Sequence, residues 1–212
     1  MTPAVAALFW TGFVSLVGQV VLMRELTVAF FGVELIYLIA LGVWLLMTAL
    51  GTLAGNRRDS ASPAGAAILL LWFALCLPLG VVFLRASRPL LGGVPGAYLP
   101  FLRQMAALVL ALAPVGFLSG LLFRASAGLY AVNGRTLAGA YGIESAGALT
   151  GGILATLCLR WGIQNFSLAV ACGLLAALAT LIVAGGAGSR RQRGIAVVLV
   201  SLMAILLGYG AP

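Results

Sequence analysis

The sequence contains no histidine and no lysine, and only four of its 212 residues are acidic. Without histidine, a His-ligated haem and a His-containing zinc site are excluded. The chain also lacks a Gly-x-x-x-x-Gly-Lys phosphate loop, a His-Glu-x-x-His helix and a Gly-x-Ser-x-Gly elbow. Few groups remain for acid–base or nucleophilic chemistry. We therefore predict no catalytic residue, no cofactor and no metal site.

Charged residues make up only 8% of the chain, against 63% hydrophobic residues, and the mean hydropathy is +1.19. A soluble domain has roughly a quarter of its residues charged, so this chain has too few to cover a surface that faces water. Hydrocarbon is the environment that suits this composition. The sequence predicts an all-α, polytopic transmembrane helix bundle in the lipid bilayer, with residues 1–212 as a single domain.

Seven apolar segments divide the chain, and each is a predicted membrane span. They cover residues 4–23, 35–55, 65–84, 104–123, 137–159, 166–184 and 195–209. The last segment is short, so six and seven spans both stay open. The first segment lacks the basic region that precedes a cleaved signal sequence, and we expect it to remain as a span.

Twelve arginines give the chain a net charge of +8. They lie singly or in short groups at the ends of apolar segments, a pattern typical of topology determinants and anionic-lipid contacts rather than of nucleic-acid binding. Seven follow spans two, four and six: Arg57, Arg58, Arg124, Arg135, Arg190, Arg191 and Arg193. Five lie on the other side: Arg24, Arg85, Arg88, Arg103 and Arg160. The bias predicts a cytoplasmic N-terminus in a bacterial inner membrane, while the side of the C-terminus depends on the number of spans.

Glu144 is an acidic residue well inside a predicted span. It follows Arg135 by nine positions, which is roughly 10–13 Å along the fifth helix. A carboxylate at that depth is costly unless it is paired, protonated or exposed to a wet cavity. Two interpretations stay open: a binding site for a cation or proton, and a structural ion pair with an arginine.

A second polar cluster lies near the end of the first span and contains Gln19, Arg24 and Glu25. Thr11, Gly18 and Glu25 are spaced by seven residues, so one small and polar helix face is predicted to turn inward. Arg24 lies about 100° around the helix from Glu25. It could pair with a carboxylate elsewhere, such as Glu144, or extend to the lipid headgroups.

Three Gly-x-x-x-Gly pairs occur within the spans. They are Gly51 with Gly55, Gly116 with Gly120, and Gly147 with Gly151. Small residues at this spacing let the backbones of two membrane helices approach closely. We predict that these six glycines pack helices within the chain, in preference to forming a dimer face.

A short internal similarity links the first and fourth spans. Residues 12–15 read GFVS and residues 116–119 read GFLS, and each is followed 35 to 40 residues later by a pair of small residues. Matching these spans would give repeats of opposite orientation, as in many transporters. Chance in so biased a composition explains the two short matches equally well, and both interpretations stay open.

Two longer blocks carry a family resemblance. Residues 12–26 read GFVSLVGQVVLMREL and precede Phe31-Gly32, and residues 141–152 read YGIESAGALTGG. These blocks resemble membrane-embedded spermidine-synthase-like proteins. The resemblance implies a multi-helix membrane module with Gln19, Arg24, Glu25 and Glu144 at its polar positions. Such relatives usually carry a cytosolic aminopropyltransferase-like domain, which is absent up to Pro212, so we do not expect that activity here.

Two functions follow as alternatives, and we place the first ahead of the second. The chain is predicted to be a non-catalytic membrane subunit that anchors or organises a larger complex, with other membrane subunits or further copies of itself as partners. Alternatively, it is a small transporter or binding module for a cationic amine, ion or proton, held by Glu144 and Glu25. An enzyme acting on a lipid or polyamine within the membrane is the least supported, because a nucleophile, base and cofactor motif are missing.

Overall fold

A computed structural model describes residues 2–31, 34–55, 62–94, 97–132, 134–184 and 190–210. Within these residues the chain forms seven α-helices and no β-strand. The helices are α1 (Pro3–Ala29), α2 (Glu34–Gly55), α3 (Pro63–Leu90), α4 (Phe101–Ala131), α5 (Leu137–Arg160), α6 (Asn165–Ala184) and α7 (Arg190–Gly210). Among the described helices, α1 to α6 are long and apolar enough to cross a membrane, whereas α7 has a shorter apolar stretch, Gly194–Leu207. The predicted all-α transmembrane bundle is confirmed, and the chain is an integral membrane protein.

Several helices extend beyond the predicted apolar segments. α1 continues past residue 23 to Ala29, and α4 runs for 31 residues. A 31-residue helix is about 46 Å long, which matches a bilayer that includes its headgroup layers. Hydropathy identifies only the part of such a helix that lies in hydrocarbon, so the predicted apolar segments are shorter than the helices. Side-chain caps define two of the helix starts, where the hydroxyls of Ser62 and Thr136 accept hydrogen bonds from the third residue beyond.

α1 is the central helix of the bundle. It packs against α3, α4, α5 and α6, while α2 packs mainly on α4 and α7 packs on α6. In the most apolar stretch of α2 only 22% of the residues are buried, and in that of α5 only 17%, against 50–61% in the other four spans. Most of the surface of α2 and α5 therefore remains available to lipid or to partner helices.

The seam between α1 and α5 is built on glycines. A side chain at Gly12 would collide with the main-chain carbonyl of Glu144, and one at Gly147 with the carbonyl of Phe9. At Gly151 a Cβ atom would lie only 2.7 Å from the carbonyl oxygen of Phe13. At these contacts the residue numbers increase in the same direction along both helices, so α1 and α5 run parallel.

The seam between α4 and α2 repeats this arrangement. A side chain at Gly51 would collide with the carbonyl of Phe117, and one at Gly120 with that of Thr48. Gly116 faces the carbonyl of Trp44, and Gly55 contacts the side chain of Arg124. The six glycines of the three Gly-x-x-x-Gly pairs thus line helix contacts within the chain.

The two seams correspond residue by residue. Residues 12, 13 and 15 of α1 match 116, 117 and 119 of α4, and residues 148 and 151 of α5 match 48 and 51 of α2. The remaining pair, α3 and α6, crosses with Gly173 against the carbonyl of Ala74 and with Thr180 donating to the carbonyl of Ala67. The contact pattern is therefore that of a three-helix unit, α1–α3, repeated as α4–α6.

An odd number of spans in each unit gives the two repeats opposite orientations in the membrane. The short match between residues 12–15 and 116–119 therefore coincides with equivalent positions in the fold. It falls where both helices make close backbone contact with a neighbour, at Gly12 against the carbonyl of Glu144 and at the carbonyl of Phe117 against Gly51.

The connection between α3 and α4 covers residues 91–100. In its described part it contains no helix, and arginines hold it at both ends. Arg88 donates a 2.9 Å hydrogen bond to the carbonyl of Ala97, and Arg103 donates a 2.7 Å bond to that of Leu91. Tyr98 stacks edge-on against Phe31 at 5.3 Å between ring centroids. These contacts favour an ordered interfacial loop.

Candidate functional site

The inward face predicted for α1 is confirmed by burial. Thr11, Gly18 and Glu25 are all buried, and so is Leu22 between the last two. Gly18 lies against the ring of Phe73 on α3, so α3 covers the middle of this face. Two separate groups of polar residues lie beside this face, one toward each end of α1.

Glu25 forms an ion pair at the C-terminal end of α1. Its Oε1 atom accepts a 2.6 Å hydrogen bond from Nε of Arg85 on α3, and its Oε2 atom accepts one of 2.6 Å from the amide of Asn165 on α6. The Asn165 amide also donates to the carbonyl of Val21 at 2.8 Å. The Arg85 guanidinium lies 5.6 Å from the ring centroid of Phe166.

These contacts join three helices through one carboxylate. Both oxygens of Glu25 are bound by donors from the protein, and the side chain is buried. Such a carboxylate has little capacity left for a ligand. The Oδ1 atom of Asn165 is buried and has no hydrogen-bond partner among the described residues. It is part of the same side-chain amide that donates to Glu25. We therefore interpret the Glu25 group as structural.

Gln19 and Arg24 lie on a different side of α1. Both line an open groove between α1 and α2, together with Thr27 and Tyr37. Arg24 is exposed, and among the described residues it forms no ion pair or hydrogen bond. It does not pair with Glu144, which lies beside Gly12 and so about 18 Å of helix rise from Arg24. Because α1 and α5 run parallel, their polar residues stay at different depths.

Glu144 lies at the other end of the bundle, on the side where α5 begins. It is partly buried, and within the described part of the chain its carboxylate has no ion pair and no hydrogen bond. The structural ion pair that the sequence left open for this residue is therefore not formed with any arginine whose side chain the structure describes. In the first repeat the equivalent position holds Trp44, which is buried. The carboxylate thus belongs to one repeat only.

The Glu144 side chain borders a cavity of about 210 Å³ between α1, α2, α4 and α5. We call this cavity the Glu144 pocket. Its lining is Thr11, Ser15, Thr48, Thr52, Ser119, Phe123, Tyr141 and Glu144. Five of these eight residues carry an aliphatic hydroxyl, and none is basic. Phe123 and Tyr141 stack at 4.8 Å between ring centroids and form an aromatic border.

Three hydroxyls of the Glu144 pocket donate their protons to carbonyl groups of their own helices. Thr48 donates to the carbonyl of Trp44 at 2.9 Å, and Ser119 donates to that of Val115 at 2.9 Å. Thr52 donates to the carbonyl of Thr48 at 2.9 Å. A hydroxyl oxygen that has donated its proton can still accept. These three hydroxyls therefore present acceptors to the pocket, alongside the Glu144 carboxylate.

Thr11 is also satisfied by the protein. It donates to the carbonyl of Ala7 at 2.7 Å and lies 3.2 Å from the hydroxyl of Ser126. An acceptor-rich lining with one carboxylate and no basic group suits a cation or a donor of N–H bonds. It does not suit an anion.

The sequence analysis identified Glu144 but missed most of the residues around it. Thr48 and Thr52 are one helical turn apart on a segment that is otherwise apolar, and this spacing could have marked a polar face of α2. Ser119 sits at the position that matches Ser15 in the internal similarity. Arg85 and Asn165, the partners of Glu25, carry no comparable signal because only the tertiary fold brings them to α1.

Comparisons with known proteins add no relative. No protein-family model, no curated protein and no solved structure matches the chain. The resemblance to membrane-embedded spermidine-synthase-like proteins therefore stays a prediction, and the function has to be argued from the pocket itself.

Proposed function

We propose that the chain is a small membrane carrier or binding module for a cationic ligand, and that the ligand occupies the Glu144 pocket. The observation that carries this proposal is a carboxylate inside a membrane span that has no ion pair or hydrogen bond with any described residue. Such a group is costly in hydrocarbon, and a bound cation or proton removes the cost. A small monovalent cation, a protonated amine or a proton could each neutralise the carboxylate in this way.

The composition of the pocket supports the same class of ligand. Thr48, Thr52 and Ser119 offer acceptor oxygens because their protons are already donated within the helices. A dehydrated cation needs several oxygen neighbours, and one carboxylate alone provides too few. At about 210 Å³ the cavity suits a small ligand rather than a large one.

The repeat architecture supports transport rather than binding alone. Inverted repeats in transporters commonly surround a binding site near the middle of the membrane, and rocking of one repeat on the other exposes it to each side in turn. Ser15 and Ser119 are equivalent residues of the two repeats, and both line the Glu144 pocket. The pocket therefore lies between the repeats, where such a motion would act.

Unlike the sequence-based hypothesis, this proposal assigns the ligand to Glu144 alone. Glu25 is already bound by Arg85 and Asn165 and lies at the opposite end of α1. A ligand held by both carboxylates would have to displace that ion pair and span about 20 Å, since Glu144 lies beside Gly12 and Glu25 is 13 residues further along α1.

A binding measurement with a defined probe tests the proposal. Purified protein in detergent is titrated with radiolabelled methylammonium, with sodium and potassium ions as competitors. Separately, the protein is reconstituted in proteoliposomes, and a trapped pH dye measures proton uptake. We expect at least one response: saturable binding of methylammonium, competition by sodium or potassium, or proton uptake. Whichever response the unchanged protein gives should be lost in Glu144→Gln. Glu144→Asp should retain a weakened response because it keeps the charge.

The matched control is Glu34→Gln, which removes an exposed carboxylate in the first turn of α2 outside the Glu144 pocket. It should behave as the unchanged protein does. Gel filtration and circular dichroism establish that each variant is folded. The proposal is wrong if Glu144→Gln and Glu34→Gln respond alike, or if the unchanged protein responds to none of the probes.

A non-catalytic subunit of a larger complex is the second proposal, and the exposed surface of α5 favours it. Gly142 has open space around it, and Ser145 and Ala146 are exposed on the same helix. Small residues on an open face allow another membrane helix to approach closely. Purification in mild detergent followed by native mass spectrometry tests this role, and a lone 21.7 kDa species from native membranes would contradict it.

For the orientation, we propose a cytoplasmic N-terminus in a bacterial inner membrane. Arg124 and Arg135 lie at the end of α4 and before α5, on the arginine-rich side. Arg57 and Arg58, which also entered this prediction, lie outside the described residues. The arginine bias supports the proposal through the preference of cytoplasmic loops for positive charge.

A further inference from the structure

A groove borders the C-terminal half of α1 and has both a polar and an apolar part. Its volume is about 630 Å³, and its lining is Leu16, Gln19, Val20, Met23, Arg24, Thr27, Val28 and Tyr37. The polar groups lie toward the end of α1, where Arg24 is five residues from Ala29. That places its Cα atom about 8 Å from the helix end, a distance that a long side chain can cover to reach the headgroup layer.

Arg24 differs from three of the four other arginines on the same side of the membrane, and Arg160 resembles it in having no ion pair or hydrogen bond among the described residues. Arg85 is paired with Glu25, while Arg88 and Arg103 donate to main-chain carbonyls of the α3–α4 loop. Arg24 has no such partner among the described residues. A guanidinium that borders hydrocarbon needs a counter-charge, and the neighbouring Glu25 is already engaged.

An apolar channel leads away from this polar end. Leu16 and Val20 line the groove and also a second cavity of about 390 Å³ on the outer side of α1. The second cavity is completed by residues of α5, namely Leu149, Gly152, Ile153, Thr156 and Leu157. The two cavities adjoin at Leu16 and Val20, and together they place a cationic group toward one end and mostly hydrocarbon side chains along the rest.

We propose that this surface binds one anionic phospholipid. The phosphate pairs with Arg24 and receives further hydrogen bonds from Gln19 and Tyr37, and an acyl chain follows Leu16 and Val20 toward α5. An unpaired guanidinium supplies the charge complementarity, because Arg binds phosphate through several N–H donors at once. A free phosphate ion would use the cationic end but would leave the apolar channel unoccupied.

The experiment compares lipids and variants by native mass spectrometry of the purified full-length chain. The protein in mild detergent is titrated with phosphatidylglycerol, then with phosphatidylcholine of the same acyl chains. We expect one phosphatidylglycerol to bind at least tenfold more tightly than phosphatidylcholine. Arg24→Gln should weaken phosphatidylglycerol binding about tenfold or more, as the loss of a charge-assisted hydrogen bond implies.

Arg103→Gln is the matched control, because it removes one positive charge on the same side while leaving the groove intact. It should leave the affinity for phosphatidylglycerol within about twofold of the original. Equal losses in Arg24→Gln and Arg103→Gln would overturn the proposal, since they would indicate a general effect of charge.

A second variant tests the acyl-chain channel. Thr156 is exposed on α5 and lines the apolar cavity, so Thr156→Trp should obstruct the channel without disturbing the core. We expect weaker phosphatidylglycerol binding, at least threefold, and no competition by millimolar inorganic phosphate. Unchanged lipid binding in Thr156→Trp, or displacement of the lipid by phosphate, would overturn the proposal in favour of a site for a free anion.

Discussion

Gly12 on α1 lies directly against the main-chain carbonyl of Glu144 on α5. The contact sets both the depth of Glu144 in the membrane and its rotation about the α5 axis, because α5 packs on the bundle almost entirely through α1. A residue with no side chain therefore positions the one carboxylate that borders the pocket. The contact between Gly12 and Glu144 therefore affects both the packing of α5 on α1 and the geometry of the proposed ligand site.

Replacing Gly12 with alanine should destabilise the protein and displace Glu144. The added methyl group has no space, and overpacking in a close helix contact costs about 1–3 kcal/mol of the free energy of unfolding. Unfolding by sodium dodecyl sulphate, followed by circular dichroism, measures the change. Binding of methylammonium should weaken in the same variant.

Gly142→Ala is the control for this experiment. Gly142 lies on the same pair of helices but has nothing within 4 Å of the added methyl group. Alanine favours a helix over glycine by up to about 1 kcal/mol, so this variant should be unchanged or slightly more stable. If Gly12→Ala were as stable as Gly142→Ala, the close contact between α1 and α5 would be refuted.

The ion pair between Glu25 and Arg85 should contribute measurably to stability. Glu25 is buried, whereas 47% of the Arg85 side chain is exposed, so solvent weakens the pair relative to a fully buried one. We expect Glu25→Gln and Arg85→Gln each to lower the free energy of unfolding by about 1–3 kcal/mol.

A double-mutant cycle separates this pair from its surroundings. The combined variant should be less damaging than the sum of the two single variants, because the second substitution removes a partner that is already lost. Purely additive losses would show that Glu25 and Arg85 stabilise the fold independently. Methylammonium binding should survive in folded variants, since the Glu25 group is proposed to be structural.

The hydroxyl groups of the Glu144 pocket should affect ligand binding without affecting stability. Thr48→Val removes a hydroxyl that lines the pocket and should weaken methylammonium binding about threefold to tenfold, as expected for one lost hydrogen bond to a charged group. The titration described for Glu144→Gln measures the change.

Thr150→Val is closely matched to Thr48→Val. Thr150 also donates to the carbonyl four residues earlier, at 2.8 Å, but it is exposed on α5 and does not line the pocket. Loss of the same intrahelical hydrogen bond should leave binding unchanged in this variant. Equal effects of the two substitutions would argue against hydroxyl ligands in the pocket.

Single cysteines in the connections should report opposite sides of the membrane. In a background with alanine at Cys76, Cys158 and Cys172, cysteines at 98 and 164 should share one side, and those at 62 and 136 the other. With the proposed cytoplasmic N-terminus, a membrane-impermeant maleimide should label only positions 98 and 164 in intact cells. Labelling of 62 and 136 instead would reverse the orientation, and labelling of 98 without 164 would contradict the six spans.

The sequence predicted much of the helical framework for a simple physical reason. Each span needs about 20 apolar residues, and the breaks between spans carry arginine, proline or glycine, so the pattern along the chain is strong. The inward face of α1 followed from the seven-residue spacing of Thr11, Gly18 and Glu25 alone. The packing role of Gly51 and Gly147 followed from their spacing to a second glycine.

The partners of these residues could not be predicted in the same way. Helical spacing shows which side chains share a face, but not which helix covers it. Glu25 pairs with Arg85 and Asn165 because α3 and α6 cross α1 at that level, and Arg24 cannot reach Glu144 because α1 and α5 run parallel. The Glu144 pocket needs four helices at once, so the spacing of Thr48 and Thr52 could mark a polar face of α2 but not the residues of other helices that complete the pocket.

The depth of Glu144 also has an electrical consequence. The residue is seven positions beyond Leu137, about 10 Å along α5, which is roughly a third of the hydrocarbon thickness. A membrane potential of 100 mV changes the energy of one charge that crosses the whole bilayer by about 2.3 kcal/mol. A univalent cation that reaches Glu144 from the side where α5 begins therefore experiences about 0.8 kcal/mol per 100 mV, or roughly a fourfold change in affinity. Occupancy of the pocket would follow the membrane voltage, although no helix of the described chain carries a row of gating arginines.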